Sequence, residues 1–476
     1  DPAEEWVYDL EIAQTHSYIT NKIVSHNSAM LQYIRNIAPR SVYTSGKGSS
    51  SAGLCVTGDT RIHTKDGFIR IRNLVEQKLP DPVSVETSAT DERGVYTLDQ
   101  GTQTIESTQS SHIWRMPEKL CRRVETARGK ELELSVNTPV LVRGQDQTQW
   151  KAVKHVEPGE YIAAPQYRGI ERSDPPIDDF IEYTGQETEL LLDEKSAAYL
   201  RDRLIEAFET PQRAAASLGL SEETIQNALA CRPIAVGQLD HILSTLGESR
   251  EEITVSRARA SESDEIRIPR HFDTELLYLT GLIFAEGEFT SQNSVNESKS
   301  IRIFTADETL LERAATIINS RFDIDVEIQA TMRNSETSSI HLDNPILLRF
   351  FENLGLGVTQ ETSELDARLT NASNIDAFVQ GLMDAKASLS SPQRSPSRVQ
   401  LRLNSDSLAI QIQLILETYG IKATRRSRGQ YRSQHMSEHR TNEEERAQYY
   451  IQIPEQSVAR YAEVINFRST TGEIGR

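Results

Sequence analysis

His26, Asn27 and Ser28 stand side by side near the start of the chain, and Cys55 opens a small-residue turn, Gly58-Asp59-Thr60, a little further on. Asparagine is the residue whose side-chain amide nitrogen can attack its own main-chain carbonyl. That attack closes a succinimide and breaks the bond to the next residue, and a neighbouring histidine can supply the proton that the leaving group needs. The Ser28 hydroxyl and the Cys55 thiol are each able to take up an acyl group. His-Asn pairs are common by themselves, so the weight falls on the segments that hold these groups.

Residues 1–27 contain two short alternating runs, WVYDLEI and SYITNKIV, with polar AQTH between them. Alternation predicts two strands that end at the His-Asn pair. Residues 28–54 differ in kind. SAMLQYIRNIAP has helical spacing of Met30, Leu31, Ile34 and Ile37 up to Pro39, then SVYT reads as a strand and SGKGSSSAG as a loop. The order around Lys47 is wrong for a phosphate loop of the GxxxxGK[ST] type.

Residues 55–165 carry many short apolar alternations with turns at Asp66-Gly67 and Glu157-Pro158-Gly159, which predicts a compact all-β module. In it Ile62, Phe68, Ile69 and Ile71 are expected to alternate along strands. Residues 187–255 read as helical, with a Gly219 turn and Ser221 as N-cap, the punctuation of a helix-turn-helix. Plain helical packing fits that punctuation equally well, because the second helix opens on Glu222 and Glu223.

From 267 to 460 one order of elements occurs twice. The apolar runs LLYLTGLIFAEGEF (276–289) and DAFVQGLMDAKASL (376–389) are each followed by a polar loop, a strand and a helix, an internal repeat of about a hundred residues. The basic stretch ATRRSRGQYR (423–432) reads as a loop after the second copy. The whole is expected to be a multidomain α+β protein.

Composition sets the background. The chain has 476 residues, 52 basic and 70 acidic, for a net charge of −18, and 40 of the 52 bases are Arg against 12 Lys. Such an acidic, Arg-rich surface suits a high-salt cytoplasm and excludes nucleic-acid binding by bulk charge, leaving local basic patches for that task. Arg425, Arg426, Arg428 and Arg432 form the clearest patch. Cys55, Cys121 and Cys231 are few and far apart, which fits a reducing cytosol and offers neither a disulfide framework nor a zinc site. No run has the length of a membrane span. The chain begins with Asp, and it reads as a piece of something longer.

The two apolar runs resemble the helices of LAGLIDADG homing endonucleases, with Gly281, Ala285, Gly381 and Ala385 letting two helices pack closely. The resemblance implies a DNA substrate and an acid at each helix end that holds Mg²⁺ over the scissile phosphate. Glu286 fills that place in the first copy. Lys386 stands in the second, with Asp384 on another face, so the endonuclease is expected to be degenerate.

A β module opening on Cys55-Val-Thr-Gly-Asp-Thr60 and containing such a domain resembles the Hint fold of inteins. That resemblance makes Cys55 the first nucleophile of protein splicing and places Ser135 and Thr138 where a Thr and a His polarise the scissile amide. Residues 6–28 resemble the C-terminal intein motifs, with His16, His26, Asn27 and the downstream acceptor Ser28. Splicing of this kind uses no cofactor.

SAMLQYIRNIAPRSVYTSGKGSSSAGL closely resembles archaeal MCM replicative helicases just after their Walker A loop. This implies a ring-shaped, ATP-dependent helicase as host, in which Ser28 would also be the Mg²⁺-binding hydroxyl. The implied order is the end of a first intein (1–27), helicase (28–54), the start of a second intein (55–165), a helical insert (187–255), LAGLIDADG repeats (267–375 and 376–460) and a linker (461–476). Residues 1–27 are expected to pair with the β module. Alternatives are a permuted intein that cyclises 28–54 and a non-cleaving nucleic-acid-binding LAGLIDADG protein. A Hedgehog-type autoprocessing domain shares the β module but lacks the LAGLIDADG insertion.

Overall fold

The computed structural model describes residues 6–12, 17–26, 55–80, 89–99, 101–117, 119–145, 147–165, 167, 170–181, 188–260, 264–290, 300–330, 337–389, 399–428 and 447–466. His16, Asn27, Ser28, the rest of 28–54, Arg432 and most of the 461–476 segment lie outside them. Two units divide the chain. One comprises Asp1–Asp174, Leu365–Ile375 and Ser388–Asn466, the other Pro175–Glu364, Asp376–Ala387 and Phe467–Arg476.

The first unit is built on two antiparallel sheets. One runs in the order Cys121–Glu125, Glu131–Ser135, Val56–Thr57, Trp6–Glu11, His112–Pro117, Ala89–Thr90. The other runs Thr148–Ala152, Pro139–Arg143, Ile23–His26, Ser17–Thr20, Arg61–Thr64, Gly94–Asp99, Thr104–Gln109, with Gly67–Arg70 beside Arg61–Thr64. The described strands within residues 6–26 therefore lie inside both sheets. Trp6–Glu11 pairs along its length with His112–Pro117 and, at Val7 and Tyr8, with Thr57 and Val56. Ser17–Thr20 and Ile23–His26 form a hairpin whose turn residues Asn21 and Lys22 have φ of 44° and 60°, the sign that primed hairpin turns require. The hairpin joins the module through Thr20–Ile62 and Ser25–Val140.

Alternation explains this placement. Tyr8 and Leu10 from the first strand, Tyr18 and Ile23 from the hairpin, and Val56, Ile62, Leu134 and Val140 from the module all enter one buried core. The docking expected of residues 1–27 holds for every described residue among them. The all-β expectation needs one correction. Ile71 belongs to a short helix, Ile71–Glu76, because Ile71, Leu74 and Val75 recur at helical rather than strand spacing.

In the second unit, helices Glu194–Phe208, Pro211–Leu218, Glu222–Leu229 and Val236–Leu246 pack beside a four-stranded sheet. Gly219 ends one helix in the left-handed region at φ 67°, and the Ser221 side chain accepts from Thr224 N–H to start the next. The segment is not wholly helical as expected. Glu189–Leu192 is a strand that buries Leu190 and Leu192, an alternation hidden in a leucine run.

The repeat is complete in its order of elements. Helix Thr274–Glu286 is followed by strands Gly287–Thr290 and Ser300–Thr305, helix Glu308–Phe322, strands Gln329–Ala330 and Ser338–Leu342, and helix Pro345–Asn353. Helix Ile375–Lys386 is followed by Ala387–Leu389, Val399–Leu403, helix Asp406–Thr418, Thr424–Arg428, Gln448–Ile453 and helix Glu455–Val464. Both sheets place their strands in the order first, second, fourth, third. The expected basic loop is in part a strand, since Thr424–Arg428 pairs in register with Gln448–Ile453. Among the described residues no helix is long and apolar enough to cross a membrane.

Candidate functional site

Cys55 sits where the first sheet brings Val56–Thr57 between Trp6–Glu11 and Glu131–Ser135. It is fully buried and packs with Val7, Trp114 and Cys121. Its main-chain N–H, the nitrogen of the Leu54–Cys55 peptide bond, donates to Thr138 Oγ1 at 3.1 Å and to Ser135 Oγ at 3.3 Å. The two hydroxyls are 2.8 Å apart, and Ser135 N–H and Thr138 Oγ1 both donate to Cys55 O, at 2.8 and 3.3 Å. Ser135 ends a strand, and Thr138 N–H bonds back to Ser135 O at 2.9 Å, so one tight turn aims both hydroxyls at the same peptide. Sequence reasoning placed these three residues together, and the fold does so.

Burial pushes the Cys55 thiol up to about 12, while Lys119 and the bond with Ser135 act the other way. The resting thiol is therefore protonated, and attack requires its proton to leave. Two further groups escaped the sequence reading. Asp9 is buried on the first strand and accepts from the Tyr18 hydroxyl at 3.0 Å. Asp9 raises the Cys55 thiol's proton affinity, and Cys55 acts in the same sense on Tyr18. The available signal was an acid at an inward position of WVYDLEI. Of the paired residues at the chain's start, His26 ends the Ile23–His26 strand opposite Ser17.

The second centre is the helix pair. A Cβ at Gly281 would lie 2.0 Å from Phe378 O, and one at Gly381 would lie 2.2 Å from Tyr278 O, so each glycine admits the other helix's backbone. Glu286 and Lys386 close the two helices, and their side chains face each other with Nζ to Oε2 at 4.0 Å. Lys386 Nζ also donates to Gln360 Oε1 at 3.0 Å, while Gln360 Nε2 donates to Ala285 O at 3.1 Å. Asp384 is buried and accepts from the Tyr278 hydroxyl at 2.8 Å. It is held within the helix pair rather than at its end.

The residues present do not fit the expected Mg²⁺ centre. The helix ends offer one carboxylate, and an ammonium already faces it. Among the described residues no group of three His, Cys, Asp or Glu side chains is arranged to hold a metal ion.

The expected basic patch is divided. Arg425 is buried, its guanidinium held by Glu131 at 3.0 Å and by Asp406, so it braces the first unit and cannot reach a ligand. Its register explains the difference: Arg425 faces inward opposite Ile451, whereas Arg426 and Arg428 are exposed opposite Tyr450 and Gln448. Arg402, also exposed, lies across Tyr450 from Arg426. Alternation in VQLRL was the signal that could have added Arg402 to the patch.

A family model described as a LAGLIDADG-like domain matches residues 273–355 and 373–466. A replication factor C small subunit of Pyrococcus horikoshii is 24% identical over 143 residues, 29% of this chain and 16% of that protein, so the chain matches less than two thirds of that relative's length. The structure of I-DmoI in complex with DNA and Mn is similar over 40% of this chain and 96% of its own, at 15% identity and a TM-score of 0.29. The N-terminal LAGLIDADG domain of WhiA is similar over 43% and 87%, at 15% identity and 0.27. The homing endonuclease I-WcaI bound to its DNA recognition sequence is similar over 40% and 80%, at 7% identity and 0.30. The helix pair, its two matching sheets and the family match together identify a LAGLIDADG-like domain of two repeats within this chain.

Proposed function

We propose that the chain is an intein-bearing piece of an archaeal MCM DNA helicase. In this reading residues 1–27 end a first intein, 28–54 is helicase, and 55–165 begin the Hint-type splicing centre of a second, against which the strands of 6–26 dock. The observation that carries it is the pair of hydroxyls, Ser135 and Thr138, on the peptide nitrogen of Cys55. Cys55 Sγ attacks the Leu54 carbonyl carbon, the C–N bond breaks, and a thioester replaces the amide. The reaction is an isomerisation, in which the thiol proton finally resides on the Cys55 amine. As the nitrogen loses amide character it gains a lone pair, and the hydroxyls that accepted its N–H can turn and donate to it. At the end of the first intein, Asn27 cyclises with His16 and His26 as proton donors, and Ser28 is the acceptor for that intein's own upstream segment. In the spliced host, Ser28 would serve Mg²⁺ and ATP binding in a ring-shaped helicase.

The test is an external thiol added to the full chain. Cleavage between Leu54 and Cys55 that disappears in Cys55→Ala is the expected result, and cleavage that survives the substitution overturns the assignment. One observation favours the permuted alternative. The strands before Asn27 share both sheets with those after Cys55, so a single centre could release 28–54 as a cyclic peptide detectable by mass spectrometry.

The LAGLIDADG-like domain is proposed to bind DNA without double-strand cutting. Lys386 facing Glu286 supports this, and the exposed Arg402, Arg426 and Arg428 supply phosphate contacts. Double-strand cleavage of the uninterrupted host gene by the unmodified protein would refute it. The helical segment 187–255 and the linker 461–476 keep their proposed places as insert and return path.

A further inference from the structure

The two repeats belong to different units. The first unit joins residues 1–174 to the second repeat's strands and helices at 388–466, whereas the first repeat falls mainly in the other. Within the first unit the second repeat closes on one turn of the 55–165 module. Residues 126–130 connect strands Cys121–Glu125 and Glu131–Ser135, with Gly129 at φ 72° and Lys130 N–H bonded to Thr126 Oγ1 at 3.1 Å. Arg128 O accepts from Arg425 N–H at 3.0 Å and from Gln413 Nε2 at 2.8 Å. A Cβ at Gly129 would lie 2.0 Å from Arg425 O, so strand and turn meet backbone to backbone. The Lys130 and Glu417 side chains, 7% and 9% exposed, pair at 2.9 Å, and Arg425 Nη2 donates to Glu131 Oε1 at 3.0 Å.

What this turn carries is Ser135. Strand Glu131–Ser135 pairs along its length with Cys121–Glu125, but among the described residues its ladder to Val56–Thr57 has one residue pair, Leu134 with Val56. Beyond that pair stand the bonds to Cys55 themselves, Ser135 N–H to Cys55 O at 2.8 Å and Cys55 N–H to Ser135 Oγ at 3.3 Å. Leu132 and Leu134 press the hairpin onto the core without fixing its angle. A hairpin joined to its sheet at one end can tilt about that end, and a tilt moves the Ser135 hydroxyl. Its other end, Glu131, lies about 14 Å away along an extended strand. There the buried ion pair and the doubly bonded Arg128 carbonyl hold it, and Asn21 Nδ2 adds a bond to Glu131 O at 2.8 Å.

We propose that the second repeat is a working part of the splicing centre: Arg425, Gln413 and Glu417 are positioning residues that grip the 126–130 turn and so hold Ser135 on the Cys55 peptide nitrogen. This rests on the splicing reading given above. It requires neither a metal nor DNA, so the second repeat has a task independent of the Glu286–Lys386 end. Displacement of a reacting group by about 1 Å, caused from a distance, can cost on the order of a hundredfold in rate.

The test is the rate of thiol cleavage at Leu54–Cys55 in the folded full chain. Arg425→Met keeps the stem and removes the guanidinium, and it is expected to slow cleavage about tenfold or more, with Arg425→Lys recovering part of the loss. Glu131→Gln added to Arg425→Met should slow it no further, because the two act through one contact. Hydrogen exchange of the unmodified chain gives an answer even if the variants do not fold. The amides of Glu131–Ser135 and Thr424–Arg428 should open together as urea is raised. An unchanged rate in Arg425→Met, losses that simply add, or protection lost in 424–428 while it persists in 131–135 would overturn the proposal and leave the splicing reading standing. No cleavage in the unmodified chain would remove both.

Discussion

The Cys55 centre and the helix-end centre depart from their expected residues in opposite ways. At Cys55 a hydroxyl, Thr138, stands where the intein resemblance calls for an imidazole, yet two hydroxyls still converge on one peptide nitrogen and accept its N–H. At the helix ends Lys386 inverts a charge, and the space that two carboxylates would share is closed by an ion pair. Both centres are closely packed, Cys55 being fully buried and each helix admitting the other's backbone. Gly281 and Gly381 still admit the opposing backbone although the chemistry next to them has changed. Packing and chemistry are separate constraints, and only packing is enforced by the stability of the fold.

The largest expected effect belongs to the scaffold. Gly281→Ala or Gly381→Ala puts a methyl about where a carbonyl oxygen lies, with backbone rather than a yielding side chain as its neighbour. Each should cost about 3 kcal/mol or more in urea unfolding, since overpacking here moves a whole helix. A loss below about 1 kcal/mol would mean that the helix pair is slack and the contrast with Cys55 unfounded.

Next in size is the charge at the helix end. Lys386→Asp replaces the ammonium with a second carboxylate facing Glu286. Mn²⁺ at a hundred times its dissociation constant should then stabilise the variant by about 2.7 kcal/mol. The unmodified protein should gain nothing from Mn²⁺. Equal stabilisation of both would show that Lys386 does not block the centre.

How far these centres were legible in sequence follows from the range of the signals. The repeat, the glycine faces and the Glu286–Lys386 asymmetry depend on local spacing, and the helices end at those two residues. Ser135, Thr138 and Cys55 were brought together by resemblance, because no local rule joins residues 80 and 83 apart. The inward turn of Arg425 is not legible locally, because a basic run carries the signature of a loop and strand register decides which of its arginines faces solvent. Asp9 is hidden for a related reason. A buried polar residue in a strand carries the same letter as an exposed one, and only its partners distinguish the two.

A smaller effect comes from the Cys55 thiol. Its pKa is about 12 in the folded chain against 9.0 for an ordinary thiol, so the folded state holds the proton more tightly. The thiol contributes no pH dependence below about 9, and it lowers stability as pH rises from there toward 12. At pH 10 the penalty should be about 1.4 kcal/mol, and Cys55→Ala should remove it. The stability difference between variant and parent at pH 8 and pH 10 isolates the thiol from Tyr18 and Tyr167, which also titrate high. A difference independent of pH would show that Cys55 is not held in the buried, protonated state described.

The smallest expected change in stability is on the second repeat's sheet. Arg426 and Arg428 are exposed, so Arg426→Ala or Arg428→Ala should alter folding stability by no more than about 0.5 kcal/mol. If the proposed DNA contact is real, each substitution should weaken binding across sequences and lower the slope of log affinity against log salt by about 1. The effect should survive chelation of divalent ions, because an arginine–phosphate contact needs none and Lys386 leaves no metal bridge to lose. An unchanged salt slope in both variants would remove this face from the DNA interface. Loss of all binding on chelation would instead show that metal coordination, rather than the arginine row, holds the nucleic acid, and would undo the distinction between a closely packed scaffold and an altered centre at the helix ends.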